Sequence, residues 1–137
     1  MEKLVIFVPH QDDETNLAGN ILSYLVKKYD VYVVYSSLEV NPDKASIRKK
    51  EAVNACAVYG IEKDNVIFLE FPDTPNRNGH HFFTDGDKSI TLKFEEILRK
   101  LMPEVIIGTD FDFHSDHRMV SLALDEAVFN IMNEIQT

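Results

Sequence analysis

The sequence predicts an α/β protein with a Rossmann-like, three-layer fold, in which helices cover both faces of a mostly parallel sheet. Short runs rich in Val, Ile, Leu and Phe alternate along the chain with longer amphipathic segments, which is the pattern of repeated βαβ units. The short runs lack polar alternation, so both of their faces should be covered. Turn signals, such as Asn41-Pro42-Asp43 and Gly60, separate the segments.

Eight elements are predicted, and they alternate between strand and helix. The strands are expected at residues 4–8, 30–36, 66–71 and 105–109. The helices are expected at residues 14–28, 44–59, 90–102 and 116–135, because apolar residues recur there at helical spacing. Residues 72–88 remain as a long polar loop, of a length that often signals function. The simplest winding gives the strand order 3-2-1-4, in which strands one and four are neighbours at the point where ligands bind.

Length and composition indicate one folded domain over residues 1–137. Hydrophobic residues make up 45% of the chain and charged residues 27%, as in ordinary globular proteins. The net charge of −9 argues against nucleic acid and anionic membranes as partners, since both favour basic patches. No apolar run approaches the about 20 residues of a membrane span. Cys56 is the single cysteine, so no internal disulfide can form and a reducing cytoplasm is the expected location.

Two polar clusters follow the first and fourth predicted strands. Residues 10–14 read His-Gln-Asp-Asp-Glu, and residues 114–117 read His-Ser-Asp-His. The predicted strand order brings both clusters to one crevice, beyond the carboxyl ends of the strands. Zinc binds imidazole and carboxylate groups, and a catalytic zinc has three protein ligands and a water. The sequence therefore predicts a metal site in this crevice, with His10, Asp13 and His117 as a candidate set of ligands.

The remaining residues of the clusters suggest how such a metal would be used. Two successive aspartates cannot both point the same way in a tight turn, so one can bind the metal while the other acts as general base. His114 could stabilise a developing oxyanion or protonate a leaving amine, although its spacing of three residues from His117 also allows both to share a metal. The plainer interpretation is that Asp12 and Asp13 only cap the following helix.

Arg48 is a candidate of a different kind, because it lies in a helix rather than at a strand end. It falls on the helix face of Ala52, Ala55 and Tyr59, which should turn towards the sheet. The competing interpretation is a solvated arginine near the start of the helix, and periodicity alone slightly favours it. Cys56, which lies among alanines, is expected to fill space in the core.

These motifs resemble those of the PIG-L / LmbE-like family of zinc-dependent N-deacetylases. The His-x-Asp-Asp-Glu motif directly follows the first strand, and the His-x-Asp-His motif follows the fourth. The segment Arg48-x-x-Glu51, with its alanines and Tyr59-Gly60-Ile61, is similar to the family's second helix. The resemblance runs across the whole chain. It implies a hydrolase that removes an N-acyl group, with acetyl as the expected one, from a small amino-sugar-like substrate by attack of a zinc-bound water.

The resemblance also implies a role for each matching residue. The zinc ligands would be His10, Asp13 and His117. Asp12 would be the general base, His114 would stabilise the tetrahedral intermediate, and Asp116 would orient a neighbouring histidine. Three further positions would contact the substrate: Arg48, Asp73 and Glu39.

The sequence departs from the family pattern in its motifs and in its length. Gln11 and Ser115 stand where prolines are usual, and Leu38 replaces a common glycine before Glu39. Family members usually continue beyond the fourth helix, so this chain is either a minimal member or part of a longer protein. The alternative function is a non-catalytic metal- or carbohydrate-binding domain, but the retained Asp12 favours the enzyme, because a binding domain needs no base. A nucleotide-binding domain is disfavoured, because no glycine-rich loop follows strand one.

Overall fold

The computed structural model describes residues 1–10, 13–38, 41–72, 88–109 and 115–136 of the 137-residue chain. Strands and helices alternate along these segments. The strands are β1 (Lys3–Val8), β2 (Asp30–Leu38), β3 (Val66–Pro72) and β4 (Val105–Ile107). The helices are α1 (Asp13–Lys28), α2 (Pro42–Val58), α3 (Ser89–Leu101) and α4 (Ser115–Gln136), and a short 3-10 turn covers Lys63–Asn65.

The four strands form one parallel sheet in the order β3-β2-β1-β4, which confirms the predicted order. β1 pairs with β2 from Lys3 to Val8 and with β4 from Leu4 to Ile6. Because β1 lies between two partners and under helices, its residues from Leu4 to Val8 are at most 1% exposed. This burial explains why β1 is a continuous apolar run, and it places the residues after Val8 in the middle of the sheet's carboxyl edge.

Two hydrophobic cores cover the two faces of the sheet, so the three-layer architecture is confirmed. Successive side chains of a strand point to opposite faces, and β1 accordingly contributes Val5 and Phe7 to one core and Leu4, Ile6 and Val8 to the other. The first core is completed by helices α3 and α4, including Phe94, Leu98, Val120, Leu124 and Ala127. The second is completed from α1 and α2, including Leu22, Ala52 and Cys56.

The ends of the elements differ from the predicted bounds by one or two residues. α2 begins at Pro42 rather than residue 44, because the side chain of Asn41 accepts hydrogen bonds from the backbone N–H groups of Asp43 and Lys44. Proline is well suited to the first helical position, where its missing N–H costs nothing. None of the helices in the described segments is long and apolar enough to cross a membrane.

β3 contains a bulge shortly before it ends. Tyr35 of β2 pairs with Phe68, whereas Ser37 pairs with Phe71, so β3 has one residue more than β2 over this stretch. Glu70 lies in it with a φ of +66°, a left-handed conformation that is uncommon for residues other than glycine. Its carboxylate pairs with Lys49 of α2. A bulge bends its strand and redirects the residues that follow, which here lead towards the predicted substrate residue Asp73.

Candidate functional site

The carboxyl ends of β1 and β4 lie side by side, and each carries a histidine to the same place. His10 follows β1 by two residues, and His117 lies in the first turn of α4, after β4. Their ring centroids are 6.1 Å apart, with the ring planes inclined by 42°. The structure thus brings together one described histidine from each of the two clusters that the strand order predicted to meet.

A buried carboxylate holds His10. Oδ2 of Asp116 lies 2.8 Å from Nε2 of His10, across 106 positions of sequence. The side chain of Asp116 is fully buried, while that of His10 is 24% exposed. Asp116 lies in the first turn of α4, where the helix dipole favours a negative charge. A neutral His10 that donates from Nε2 to this carboxylate has its lone pair on Nδ1, so this contact fixes both the orientation and the tautomer of the ring.

A hydroxyl group lies beside the second histidine. Oγ1 of Thr109 lies 3.4 Å from Nδ1 of His117, and both residues are partly buried. Thr109 was not among the residues that the motifs indicated, because a threonine after a strand has no distinctive spacing. The signal that could have found it is its position, two residues after β4, which is the counterpart of the position of His10 after β1.

The two histidines have the chemistry of a pair that could share a metal ion, and their ring centroids, 6.1 Å apart, lie slightly further from each other than in a zinc-bound pair. A histidine that binds metal through one ring nitrogen commonly donates the N–H of the other nitrogen to a carboxylate. His10 would do so if its Nε2–H donates to Asp116. Two imidazoles at about 2.0–2.1 Å from one tetrahedral zinc have ring centres roughly 5–6 Å apart. Among the side chains that the structure describes, no three His, Cys, Asp or Glu residues are placed to hold a metal. A third ligand would therefore lie outside that set, as the side chain of Asp13 does.

The other predicted site residues fall mainly outside the described part of the chain. Asp13 is described as the first residue of α1 but not in its side chain. Neither backbone nor side chain is described for the following residues: Asp12, Glu39, Asp73 and His114. Their predicted roles remain predictions.

Arg48 is described, and its side chain is exposed. The predicted face does turn towards the sheet, since Ala52 is buried and Tyr59 packs against the same core, but Arg48 lies at the edge of that face, which agrees with the competing interpretation of a solvated arginine. The buried residues of α2 are Ala45, Ala52 and Cys56, a spacing of seven and four residues that puts Lys49, rather than Arg48, in line with them. Its exposure keeps Arg48 within reach of solvent and of a dissolved ligand, whereas a sheet-facing arginine would have been enclosed. Cys56 is fully buried, as predicted.

A cavity of about 420 Å³ adjoins the site at Thr109, with the apolar residues Ile106, Leu124 and Val128 in its lining. Ser121 and Asp125 of α4 also line it, and they follow His117 by one and two helical turns on the same side of the helix. Hydroxyl and carboxylate groups are suited to hydrogen bonding with a polyhydroxylated ligand.

Comparison with known families and structures adds the following findings. The family model described as PIG-L, GlcNAc-PI de-N-acetylase, matches residues 5–128, which include both histidine clusters. A comparison with curated proteins finds no significant match.

Solved structures share the fold at low sequence identity. An N,N'-diacetylchitobiose deacetylase from Pyrococcus horikoshii is 22% identical, with a TM-score of 0.76, over 93% of this chain and 49% of that one. The teicoplanin deacetylase Orf2 in its zinc-inhibited form is 17% identical, with a TM-score of 0.78, over 93% and 64%. The 4-carboxy-2-hydroxymuconate hydratase GalB from Pseudomonas putida KT2440 is 18% identical, with a TM-score of 0.68, over 93% and 55%. The chain thus spans about half to two thirds of the length of these structures.

Proposed function

The chain belongs to the PIG-L family of GlcNAc-PI de-N-acetylases, and from this premise we propose that it is a zinc-dependent hydrolase that removes an N-acyl group, in the first place acetyl, from an amino-sugar-like substrate. The observation that carries the proposal is the meeting of His10 and His117 at 6.1 Å beside the buried carboxylate of Asp116. Histidines supported in this way are typical of metal sites in hydrolases.

In this proposal, the zinc ligands are His10, Asp13 and His117. Imidazole nitrogen and carboxylate oxygen form a donor set that suits zinc. When bound, zinc would lower the pKa of a water molecule and polarise the carbonyl group of the amide. Asp116 would keep the ring of His10 in the orientation and tautomer that ligation requires, since its carboxylate accepts a hydrogen bond from Nε2.

The proton transfers are assigned to residues next to the ligands. Asp12 would accept a proton from the attacking water, and that proton would then pass to the amine nitrogen as the carbon–nitrogen bond breaks. His114 would donate a hydrogen bond to the amide oxygen while negative charge develops on it. The products are a carboxylic acid and a free amine, so the reaction consumes one water and needs no further reactant.

Substrate binding is assigned to the α2 and β3 side of the crevice, through Arg48, Asp73 and Glu39. Guanidinium and carboxylate groups form strong hydrogen bonds with hydroxyl groups. Arg48 is exposed on α2, and the β3 bulge at Glu70 redirects the chain immediately before Asp73. The cavity beside Thr109 offers room for a further part of a sugar-like molecule.

The alternative is a non-catalytic metal- or carbohydrate-binding domain of the same fold. The fold alone does not decide between reactions, and the similarity to a hydratase as well as to deacetylases illustrates this. Asp12 favours the hydrolase, because binding needs no base. We also propose that the protein works in the cytoplasm, since its single cysteine cannot form an internal disulfide.

Metal analysis combined with a deacetylation screen tests the proposal. The purified protein should contain about one zinc per chain, and it should release acetate from at least one N-acetylated amino sugar, with activity abolished by a chelator and restored by zinc. A matched protein with His117→Ala is the control for contaminating hydrolases. Zinc binding without any acetate release would favour the binding domain, and the absence of both would reject the proposed site.

A further inference from the structure

The end of β4 packs against α4 at a glycine, with the side chain of Leu124 close to its Cα. A Cβ atom added to Gly108 would lie 2.7 Å from Cδ2 of Leu124, well inside van der Waals contact. A side chain at position 108 would therefore require Leu124 to shift. Thr109 follows directly, and its hydroxyl oxygen lies 3.4 Å from Nδ1 of His117.

This contact bears on the chemical state of His117. A neutral imidazole has one nitrogen that carries a proton and one with a lone pair, and the partner of the first decides which is which. A hydroxyl beside Nδ1 can accept the N–H of that nitrogen, and the lone pair then lies on Nε2. In that arrangement the ring is fixed in tautomer and in orientation, whereas a hydroxyl that donated to Nδ1 would leave the proton on Nε2.

We propose that Thr109 is a positioning residue for His117, whose hydroxyl accepts the Nδ1–H and so presents Nε2 to the metal. The inference rests on the proposed metal site, but it concerns a residue to which neither the motifs nor the family comparison gives a role. It implies that the two histidines use different nitrogens. His10, whose Nε2 faces Asp116, would bind through Nδ1, and His117 would bind through Nε2.

Two substitutions at position 109 separate the hydroxyl from the shape of the side chain. Thr109→Val keeps the shape and removes the hydroxyl, while Thr109→Ser keeps the hydroxyl and removes the methyl group. A matched control is Thr91→Val, because Thr91 is buried and its hydroxyl has no hydrogen-bond partner in the structure as described. That variant makes the same chemical change in α3, outside the site.

Zinc affinity of the full chain, measured by competition with a coloured chelator, is the first readout. Thr109→Val should weaken zinc binding about 10-fold, the lower end of what loss of a supporting hydrogen bond to a ligand costs. Thr109→Ser and Thr91→Val should bind zinc as the unchanged protein does. Equal affinity of the Thr109→Val variant and the unchanged protein would overturn the proposal, as would a Thr109→Ser variant that is as weak as Thr109→Val.

The second readout needs neither zinc nor activity. Nitrogen-15 chemical shifts of the imidazole rings report the tautomer of each histidine in the metal-free protein, and His117→Ala identifies the resonances of His117. We expect Nδ1 of His117 to carry the proton in the unchanged protein and in Thr109→Ser, with a shift towards the other tautomer in Thr109→Val. The same tautomer in all three proteins would overturn the proposal. If the tautomer shifts as expected but the unchanged protein shows no deacetylation, the proposed function is rejected. The positioning of His117 by Thr109 is then still supported.

Discussion

Two regions of the molecule are built differently: the carboxyl end of β1 with α4, and the contact between α2 and β3. On the side of β1 and α4, a fully buried carboxylate holds a histidine at 2.8 Å, and the strand that carries this histidine is buried along its length. Between α2 and β3, Arg48 is exposed, and an ion pair joins the strand end to the helix. Its two side chains, Lys49 and Glu70, are 34% and 49% exposed.

This difference in burial predicts which substitutions should have large effects and which should have small ones. A buried charged contact is costly to break, because the group left behind has lost both water and partner. An exposed ion pair contributes little, because water and salt screen it. We therefore expect changes on the β1 side to act on metal binding and on chemistry, and changes on the β3 side to act on substrate affinity.

The largest effects are expected at the two adjacent aspartates. Asp12→Asn should leave zinc content nearly intact and lower turnover by about 10²–10⁴-fold, the usual contribution of a positioned base. Asp13→Ala should lose the metal together with the activity. Metal content and initial rates of acetate release, measured on the same preparations, check both. Zinc lost from the Asp12 variant and retained by the Asp13 variant would exchange the two assignments, and full activity in both would reject the hydrolase mechanism.

The next largest effect is expected at Asp116. Asp116→Asn keeps the shape and an oxygen that can accept from His10, but it removes the charge, so zinc affinity should fall by roughly 10-fold. Asp116→Ala should lower zinc affinity further, by up to roughly 100-fold, which is the upper end for loss of a supporting group. Chelator competition measures the affinity, and thermal unfolding of the metal-free variants shows whether each still folds. A folded Asp116→Asn variant with unchanged zinc affinity would contradict the assigned role.

A smaller effect is expected at Arg48, the proposed substrate contact on α2. Arg48→Ala should raise KM more than it lowers kcat, by about 5–10-fold, which corresponds to the loss of a hydrogen bond worth about 1–1.5 kcal/mol. Zinc content should not change. Arg48→Lys is the companion variant, since it retains the charge and loses the paired N–H groups of the guanidinium. Unchanged kinetics in Arg48→Ala would show that the residue is only a solvated arginine.

The smallest effect is expected for the ion pair at the β3 bulge. Lys49→Met should lower the free energy of unfolding by less than about 1 kcal/mol, because both side chains are partly exposed. Lys93→Met is the matched control, since Lys93 pairs with Glu96 on the surface of α3, with both side chains more than half exposed. Denaturant unfolding should show similar small losses, but only Lys49→Met should also raise KM. An equal KM in both variants would show that the Lys49–Glu70 ion pair has no role in substrate binding.

Much of the fold followed from the sequence, because its signals are local and repeated. Apolar runs without polar alternation identified the strands, and their alternation with helices led to the observed order β3-β2-β1-β4. The meeting of His10 and His117 followed from that order, since two clusters at the ends of neighbouring strands have to be close. Both inferences rest on topology and are insensitive to an error of one or two residues.

Features that depend on a rotation or on a single contact could not be predicted. Periodicity left Arg48 open between a sheet-facing and a solvated side chain, because alanines surround the helix and give no strong phase. The bulge in β3 has no glycine to announce it, and it is Glu70 that adopts the positive φ. The family resemblance implied that Asp116 orients a neighbouring histidine, but it did not say which one. The structure shows that His10 contacts Asp116.

The two neighbouring strands that end beside the site, β1 and β4, are unequal, and this has a consequence for hydrogen exchange. β1 is paired on both sides, so its amides should exchange only when the whole molecule unfolds, while β4 forms three residue pairs with β1 and should open in smaller fluctuations. The site therefore bridges a slowly and a rapidly exchanging part of the sheet. Local opening of β4 would carry Thr109 away from His117 while His10 stays with Asp116. Metal should then dissociate through the β4 side, at denaturant concentrations that leave the rest of the sheet folded.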